Sequence, residues 1–289
     1  MTPASHIYFS QRLRLHYIDW GNHDSSAMVF VHGMQDHCRT WDDLVAEFQE
    51  EFHVIAPDLR GHGDSEWVKG AAYTYQDYIY DLHQLVKQTE TGPVTLVGHS
   101  LGGAIAALFA GAFPELVERL IVIEGIGLWG DFQPPMTAIE RLREWVGNTR
   151  ELSSRQPRRY ASLQEAYQRM QTANPNLSEA QALHLTVHGS NQNEDGSFSW
   201  KFDNYTFNFS AASLAQEDVI ALWQNVACPT LILTATDGLE HRIGHDGSER
   251  YFQNAVCHEI ADAEHWTYHD QKDEVIGLMR EFIASTPVA

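Results

Sequence analysis

The residues with the clearest chemistry in this chain are Gly98-His99-Ser100-Leu101-Gly102, a Gly-x-Ser-x-Gly run. A serine hydroxyl is a poor nucleophile at neutral pH; it needs a base within hydrogen-bond reach and a third group to orient that base. His265, in Ala263-Glu264-His265-Trp266, is the expected general base. Two carboxylates compete for the orienting role. Asp237, in Thr236-Asp237-Gly238, gives the chain order serine, acid, histidine and places a short side chain in a Gly-containing turn, so it is the expected acid. Glu124 is the alternative, or else supports the histidine from behind or hinges a lid. Acyl chemistry also needs donors aimed at an oxyanion. The backbone N–H groups of Met34, just past His32-Gly33, and of Leu101, at a helix start, are the expected pair.

The elements that must position these groups can be read from the pattern. Arg12 to Trp20 alternates apolar and polar residues, as a half-buried strand does. Met28 to Val31, Val54 to Ala56, Val94 to Val97, Leu120 to Ile123 and Thr230 to Leu233 are short, β-rich and non-alternating, as strands buried on both faces of a parallel sheet are. Val256 to Ile260 reads as the last strand. Helical patterns lie between them at Trp41 to Phe48, Tyr75 to Thr89, Leu101 to Phe113, Leu214 to Asn225 and Asp273 to Ala284. Strand alternating with helix predicts a wound α/β sheet. Loops after the C-terminal ends of its parallel strands share one edge, which is where Ser100, His265 and either acid would meet.

Residues 126–210 break this rhythm. They offer helices over Met136 to Asn148, Leu163 to Ala173 and Glu179 to Val187, the last with Ser178 and Gln181 spaced as a capping box, and then a hairpin turn at Asp195-Gly196. The expected organisation is a core of residues 1–125 and 211–289 with a mainly helical lid of residues 126–210 inserted. The acyl pocket is expected between the lid and the serine edge. His32, His99, Trp129, Phe132 and Trp266 are its candidate lining, with His32 read chiefly as a loop brace and Trp200 chiefly as lid core.

Composition excludes several classes. The net charge of −20 repels phosphate backbones and anionic membranes, so neither nucleic acid nor a membrane is the expected partner. Cys38, Cys228 and Cys257 cannot all pair within one chain, which points to free thiols in a reducing compartment. With no apolar run of membrane-spanning length and no signal-like N-terminus, a cytoplasmic location is expected. No cofactor is expected. No metal is expected either, because His241, His245 and Asp246 stand in a Gly-rich loop without ligand spacing. A small-molecule ester is the expected partner, and a homodimer is a permitted assembly.

Phe30-Val31-His32-Gly33, Pro57-Asp58-Leu59-Arg60-Gly61-His62-Gly63-Asp64-Ser65 and Gly98-His99-Ser100-Leu101-Gly102-Gly103, with Asp237 and His265, resemble the α/β-hydrolase superfamily. The resemblance covers the chain outside the lid and implies an α/β-hydrolase fold: an eight-stranded, mostly parallel sheet flanked by helices, with a serine–histidine–aspartate triad. It also implies that Pro57 to Ser65 is structural, with Arg60 and Asp64 pairing rather than reacting. His32-Gly33-Met34-Gln35-Asp36 together with Tyr160-Ala161-Ser162-Leu163, Asn174 to Ser178 and Trp200-Lys201-Phe202-Asp203 is similar to the serine-hydrolase-like branch, read mostly as esterases. The expected activity is carboxylic ester hydrolysis through an acyl-enzyme. The alternatives are thioester hydrolysis, acyl transfer, or carbon–carbon cleavage of ring-fission dienoates, for which Arg141, Arg143, Arg155, Arg158 and Arg159 are the lid's cations. A non-catalytic binding protein on the same fold is the reading from a different class.

Overall fold

The computed structural model describes residues 3–128, 136–208, 210, 214–245 and 247–287. The chain opens with the antiparallel pair β1 (Ala4–Ser10) and β2 (Leu13–Asp19). There follow β3 (Ala27–Val31), α1 (Asp42–Val45), β4 (His53–Pro57), α2 (Tyr75–Gln88), β5 (Val94–His99), α3 (Leu101–Ala112) and β6 (Val117–Ile123). The sheet is completed after the insertion by β9 (Thr230–Ala235) and β10 (Ala255–Ile260). Its eight strands run in the order β1-β2-β4-β3-β5-β6-β9-β10, and only β2 runs against the others.

The continuous apolar runs serve two cores at once because successive strand side chains face opposite sides. Val29, Val31, Ile55 and Leu96 pack on the face covered by α2 and α3. Their neighbours Met28, Phe30, Val54 and Val97 pack with Trp41, Leu44, Val275 and Met279 on the other face, under α9 (Lys272–Ser285), which follows the single turn α8 (Thr267–Asp270). β3, β4, β5 and β9 are buried at every position. The strand β1 had no sequence counterpart because most of it is exposed at the sheet edge, with Ile7 and Phe9 facing outward. The helix expected over Trp41 to Phe48 is instead a 3₁₀ turn at Cys38–Trp41 followed by the single turn α1.

Between β6 and β9 the chain leaves the sheet. It forms α4 (Ala138–Ser153), α5 (Leu163–Ala173) and α6 (Glu179–Gly189), then the hairpin of β7 (Ser190–Gln192) and β8 (Phe198–Trp200). α4 runs five residues past the expected Asn148. Ser178 and Gln181 form the expected capping box. The chain returns through α7 (Gln216–Gln224). Leu177, Ala182 and Leu185 pack with Trp266, and His37 Nε2 lies 3.1 Å from the Leu185 carbonyl oxygen, so α6 is seated beside the loop that carries His265.

Pairing in the Pro57 to Ser65 loop takes its own form. Arg60 is buried against Asp81, with Nε–Oδ2 at 2.6 Å, and also reaches Asp77. Asp64 instead meets Lys201 Nζ at 2.8 Å, so the loop is tied both to α2 and to the segment after β8.

Candidate active site

β5 delivers the serine. At Ser100 the chain turns from strand to helix with φ 54° and ψ −118°, a conformation that costs a non-glycine residue about 1–3 kcal/mol. The turn is held by the Ser100 N–H donating to the Ile123 carbonyl and by the Ser100 carbonyl accepting from Ala104 and Ile126. Close packing dictates its neighbours. A Cβ on Gly98 would overlap the Gly102 backbone, and one on Gly102 would overlap the Val31 carbonyl. The site lies where β3 and β5 adjoin, the point at which strand order reverses and a crevice opens at the C-terminal edge of such sheets.

The His265 loop follows β10. Its imidazole Nε2 is 2.9 Å from Ser100 Oγ, and its Nδ1 is 3.3 Å from Glu124 Oε2. The loop is pinned by three bonds. His99 Nε2–H donates to the His265 carbonyl at 2.8 Å, the Glu264 N–H donates to Asp270 Oδ2, and Thr267 Oγ1 donates to the Glu264 carbonyl.

The carboxylate that meets the histidine is Glu124, not the expected Asp237. Asp237 is exposed, and its backbone N–H serves the loop by donating to the Ala263 carbonyl at 3.0 Å. Glu124 is wholly buried at the end of β6, in a left-handed conformation with φ 47°. Its Oε1 accepts from the Ala235 N–H at 2.7 Å and lies 2.8 Å from Arg242 Nε. Its Oε2 accepts from the Leu239 N–H at 3.0 Å and faces His265. The turn after β9 is therefore a cradle for a carboxylate from the adjacent strand. A Cβ on Gly238 would overlap Glu124 Oε2, so the Asp237-Gly238 turn carries its glycine to admit Glu124. Arg242 completes the cradle by donating to the Leu239 and Ala235 carbonyls. Sequence reasoning did not single out Arg242; the available signal was that a buried carboxylate requires a partner.

The two expected backbone donors lie on segments next to the serine. A Cβ built on Gly33 would lie 3.0 Å from Ser100 Cβ, so the chain leading into Met34 passes close to Ser100. Leu101 is the first residue of α3, so its N–H has no acceptor within the helix and adds to the helix's positive end.

The candidate pocket residues divide. His32 is fully buried, with Nδ1–H donating to the Gly33 carbonyl at 2.7 Å and Nε2 accepting from the Leu59 N–H at 3.0 Å. Both ring nitrogens are consumed, and burial pushes its pKa down, so it braces the Gly33 loop and does not line a pocket. His99 is likewise behind the site. Burial and the neighbouring His265 hold its pKa well below the usual histidine range, and it anchors the base's backbone. Trp266 is half-buried between the core and the α5–α6 cluster. Trp129, Phe132 and Asp246 lie outside the described residues. Trp200 Nε1–H donates to Tyr160 Oη, in the interior of the inserted segment. The arginines of that segment face outward. Arg155 pairs with Glu151, Arg159 pairs with Asp195 at 2.9 Å, Arg158 lies over the Tyr160 ring, and Arg141 donates to the Met136 carbonyl; Arg143 is exposed.

A sequence profile described as the alpha/beta hydrolase family matches residues 28–278. An uncharacterized protein of Mycobacterium tuberculosis is 41% identical over 105 residues, which is 36% of this chain and 30% of that relative's length. A serine hydrolase-like protein of Danio rerio is 23% identical over 224 residues, covering 76% of this chain and 68% of the relative. Among solved structures, a thioesterase domain from the curacin biosynthetic pathway superposes with a TM-score of 0.83 at 18% identity, over 97% of this chain and 100% of that one, a likeness of fold.

Proposed function

The chain belongs to the alpha/beta hydrolase family, and on that footing we propose that it is a serine hydrolase that cleaves carboxylic esters through an acyl-enzyme. The observation that carries the reading is the continuous bonded line from Ser100 Oγ through His265 to Glu124. Ser100 attacks the ester carbonyl as its proton passes to His265 Nε2. Glu124 holds the imidazole with Nδ1 protonated and stabilises the imidazolium that forms. The oxyanion accepts from the Met34 and Leu101 N–H groups, next to the positive end of α3. His265 then gives its proton to the departing alcohol, takes one from a water that attacks the acyl carbon, and returns it to Ser100 as the acid leaves.

A serine in this position argues against the alkyl-ester intermediates of dehalogenation and epoxide opening, which need a carboxylate nucleophile. The outward-facing arginines of the inserted segment argue against a dienoate, whose carboxylate requires a cation. Residues 126–210 act in this reading as a lid over the serine, with Trp266 joining lid to base. No described helix is long and apolar enough to cross a membrane.

The test pairs labelling with turnover. A fluorophosphonate probe should modify the wild type at Ser100 and leave a folded Ser100→Ala variant unmodified. Short-chain p-nitrophenyl esters should turn over in preference to a thioester or a ring-fission dienoate. Absence of labelling in folded wild type defeats the serine-hydrolase reading, and turnover of the dienoate alone defeats the ester assignment.

A further inference from the structure

Far from Ser100, at the N-terminal ends of the parallel strands, three side chains converge: Asp19 at the end of β2, His23 in the following turn and His53 at the start of β4. His53 Nε2 lies 3.1 Å from both Asp19 carboxylate oxygens and 3.1 Å from His23 Nδ1, while His23 Nδ1 lies 3.9 Å from Asp19 Oδ2. One nitrogen cannot satisfy all these contacts well. If Nε2 carries a proton, that single N–H is split between the Asp19 carboxylate and the lone pair of His23 Nδ1. If it accepts from His23, its lone pair faces a carboxylate at 3.1 Å. A cation among the three removes the conflict, because all three atoms then act as donors of electron pairs.

We propose that Asp19, His23 and His53 form a site for a divalent transition metal, with zinc as the best fit. Two imidazoles and a carboxylate make a borderline donor set of the kind zinc prefers, with the fourth tetrahedral position left to water. Ligand distances of about 2.0–2.2 Å in a tetrahedron place ligand atoms about 3.3–3.6 Å apart. The observed edges of 3.1, 3.1 and 3.9 Å bracket that spacing. The supporting structure is already built. Asp19 and His53 are buried on strands, and the Gly21 N–H donates to Asp19 Oδ1 at 2.7 Å, orienting the carboxylate. His23 is exposed on a turn closed by the Ser25 N–H donating to the Asn22 carbonyl, which gives an ion a route in and makes His23 the last ligand to close. A metal there would tie β2, the turn and β4 together.

Two other convergent groups carry less. At Asp42, His184 and His188, the Arg39 guanidinium already pairs with Asp42, so an ion would sit against a fixed positive charge. At His16, Cys38 and Asp58, burial and the Asp58 charge hold the thiol far from the thiolate a metal needs, and Asp58 is saturated by His16 and the Cys38 and Asp64 N–H groups.

The intact protein, stripped with a chelator and dialysed, is titrated with zinc chloride by calorimetry. The proposal predicts one zinc per chain at this site. It predicts weakening of at least about tenfold in His23→Ala, whose exposed side chain can be removed without unfolding the protein, and wild-type binding in His184→Ala. Cobalt(II) should give the visible absorption of a four-coordinate site, lost in His23→Ala. Zinc affinity unchanged in His23→Ala, or reduced only in His184→Ala, overturns the assignment, as does failure of the wild type to bind zinc.

Discussion

The assignment of Glu124 over Asp237 makes a prediction that can be worked through atom by atom. In Glu124→Gln, one oxygen of a carboxylate that now accepts on both sides becomes an NH₂. One side faces the Ala235 N–H and Arg242, the other faces the Leu239 N–H and His265 Nδ1. The amide will keep its oxygen toward Arg242, because turning an NH₂ onto a buried guanidinium is the costlier choice. The NH₂ then faces His265 and can be accommodated there only if Nδ1 becomes an acceptor. That forces the proton onto Nε2, and the base donates to Ser100 instead of accepting from it. The same wrong-tautomer change in a serine protease triad lowers kcat roughly ten-thousandfold, or about 5.5 kcal/mol of transition-state stabilisation. A loss of about 10³–10⁴ in kcat is therefore expected here. Asp237→Asn, altering an exposed side chain, should stay within about twofold of wild type. The assay is hydrolysis of p-nitrophenyl acetate alongside the rate of fluorophosphonate labelling, with thermal melting to establish that each variant is folded. An Asp237→Asn variant as impaired as Glu124→Gln, or a folded Glu124→Gln variant of near wild-type rate, refutes the reasoning.

Three further outcomes follow from the same geometry. Gly238→Ala drives a Cβ into Glu124 Oε2, so it should cost about a hundredfold in kcat by misplacing the acid, together with a fall in melting temperature; wild-type kcat would contradict the cradle. Ser100→Gly should be more stable than Ser100→Ala by about 1 kcal/mol in urea unfolding, because only glycine relieves the positive φ; equal stabilities would mean that the turn is unstrained. Burial pushes His62 down to about 3 and His269 down to about 4. Each is neutral when folded but takes up a proton when unfolded once the pH falls below about 6.5. The unfolded state binds more protons there, so stability should fall on acidification from about pH 6.5 toward 4, by up to about 1.4 kcal/mol per pH unit for each histidine. His269→Gln should remove about one histidine's share of that slope, and an unchanged slope in urea titrations across this range would contradict it.

What could be read from the chain divides along physical lines. Ser100 and the helix behind it were legible because a strand, two glycines and an apolar helix are contiguous, and the strained turn is written in local sequence. His265 was legible because it directly follows the last strand. The acid was not legible to the same degree. β6 and β9 are neighbours, so Glu124 and Asp237 leave adjacent strands at the same edge, and their order along the chain does not say which side chain turns inward. The deciding features are three-dimensional: a glycine whose missing Cβ makes room for a carboxylate, and Arg242 placed to neutralise it. His32, read chiefly as a loop brace, and His99 were both also candidates for the pocket lining, which neither joins. Both His32 ring nitrogens and His99 Nε2 meet backbone groups that no linear pattern reveals. β1 escaped notice because an exposed edge strand has no need of apolar alternation.

The central claim is that Ser100 becomes covalently acylated by an ester. Rapid quenching of the protein with p-nitrophenyl acetate, followed by peptide mass spectrometry, tests it directly. The account predicts an acetyl group on Ser100, accompanied by a burst of one p-nitrophenolate per chain and absent from Ser100→Ala. Turnover without an acetyl group on Ser100, or an obligatory adduct on another residue, would contradict it.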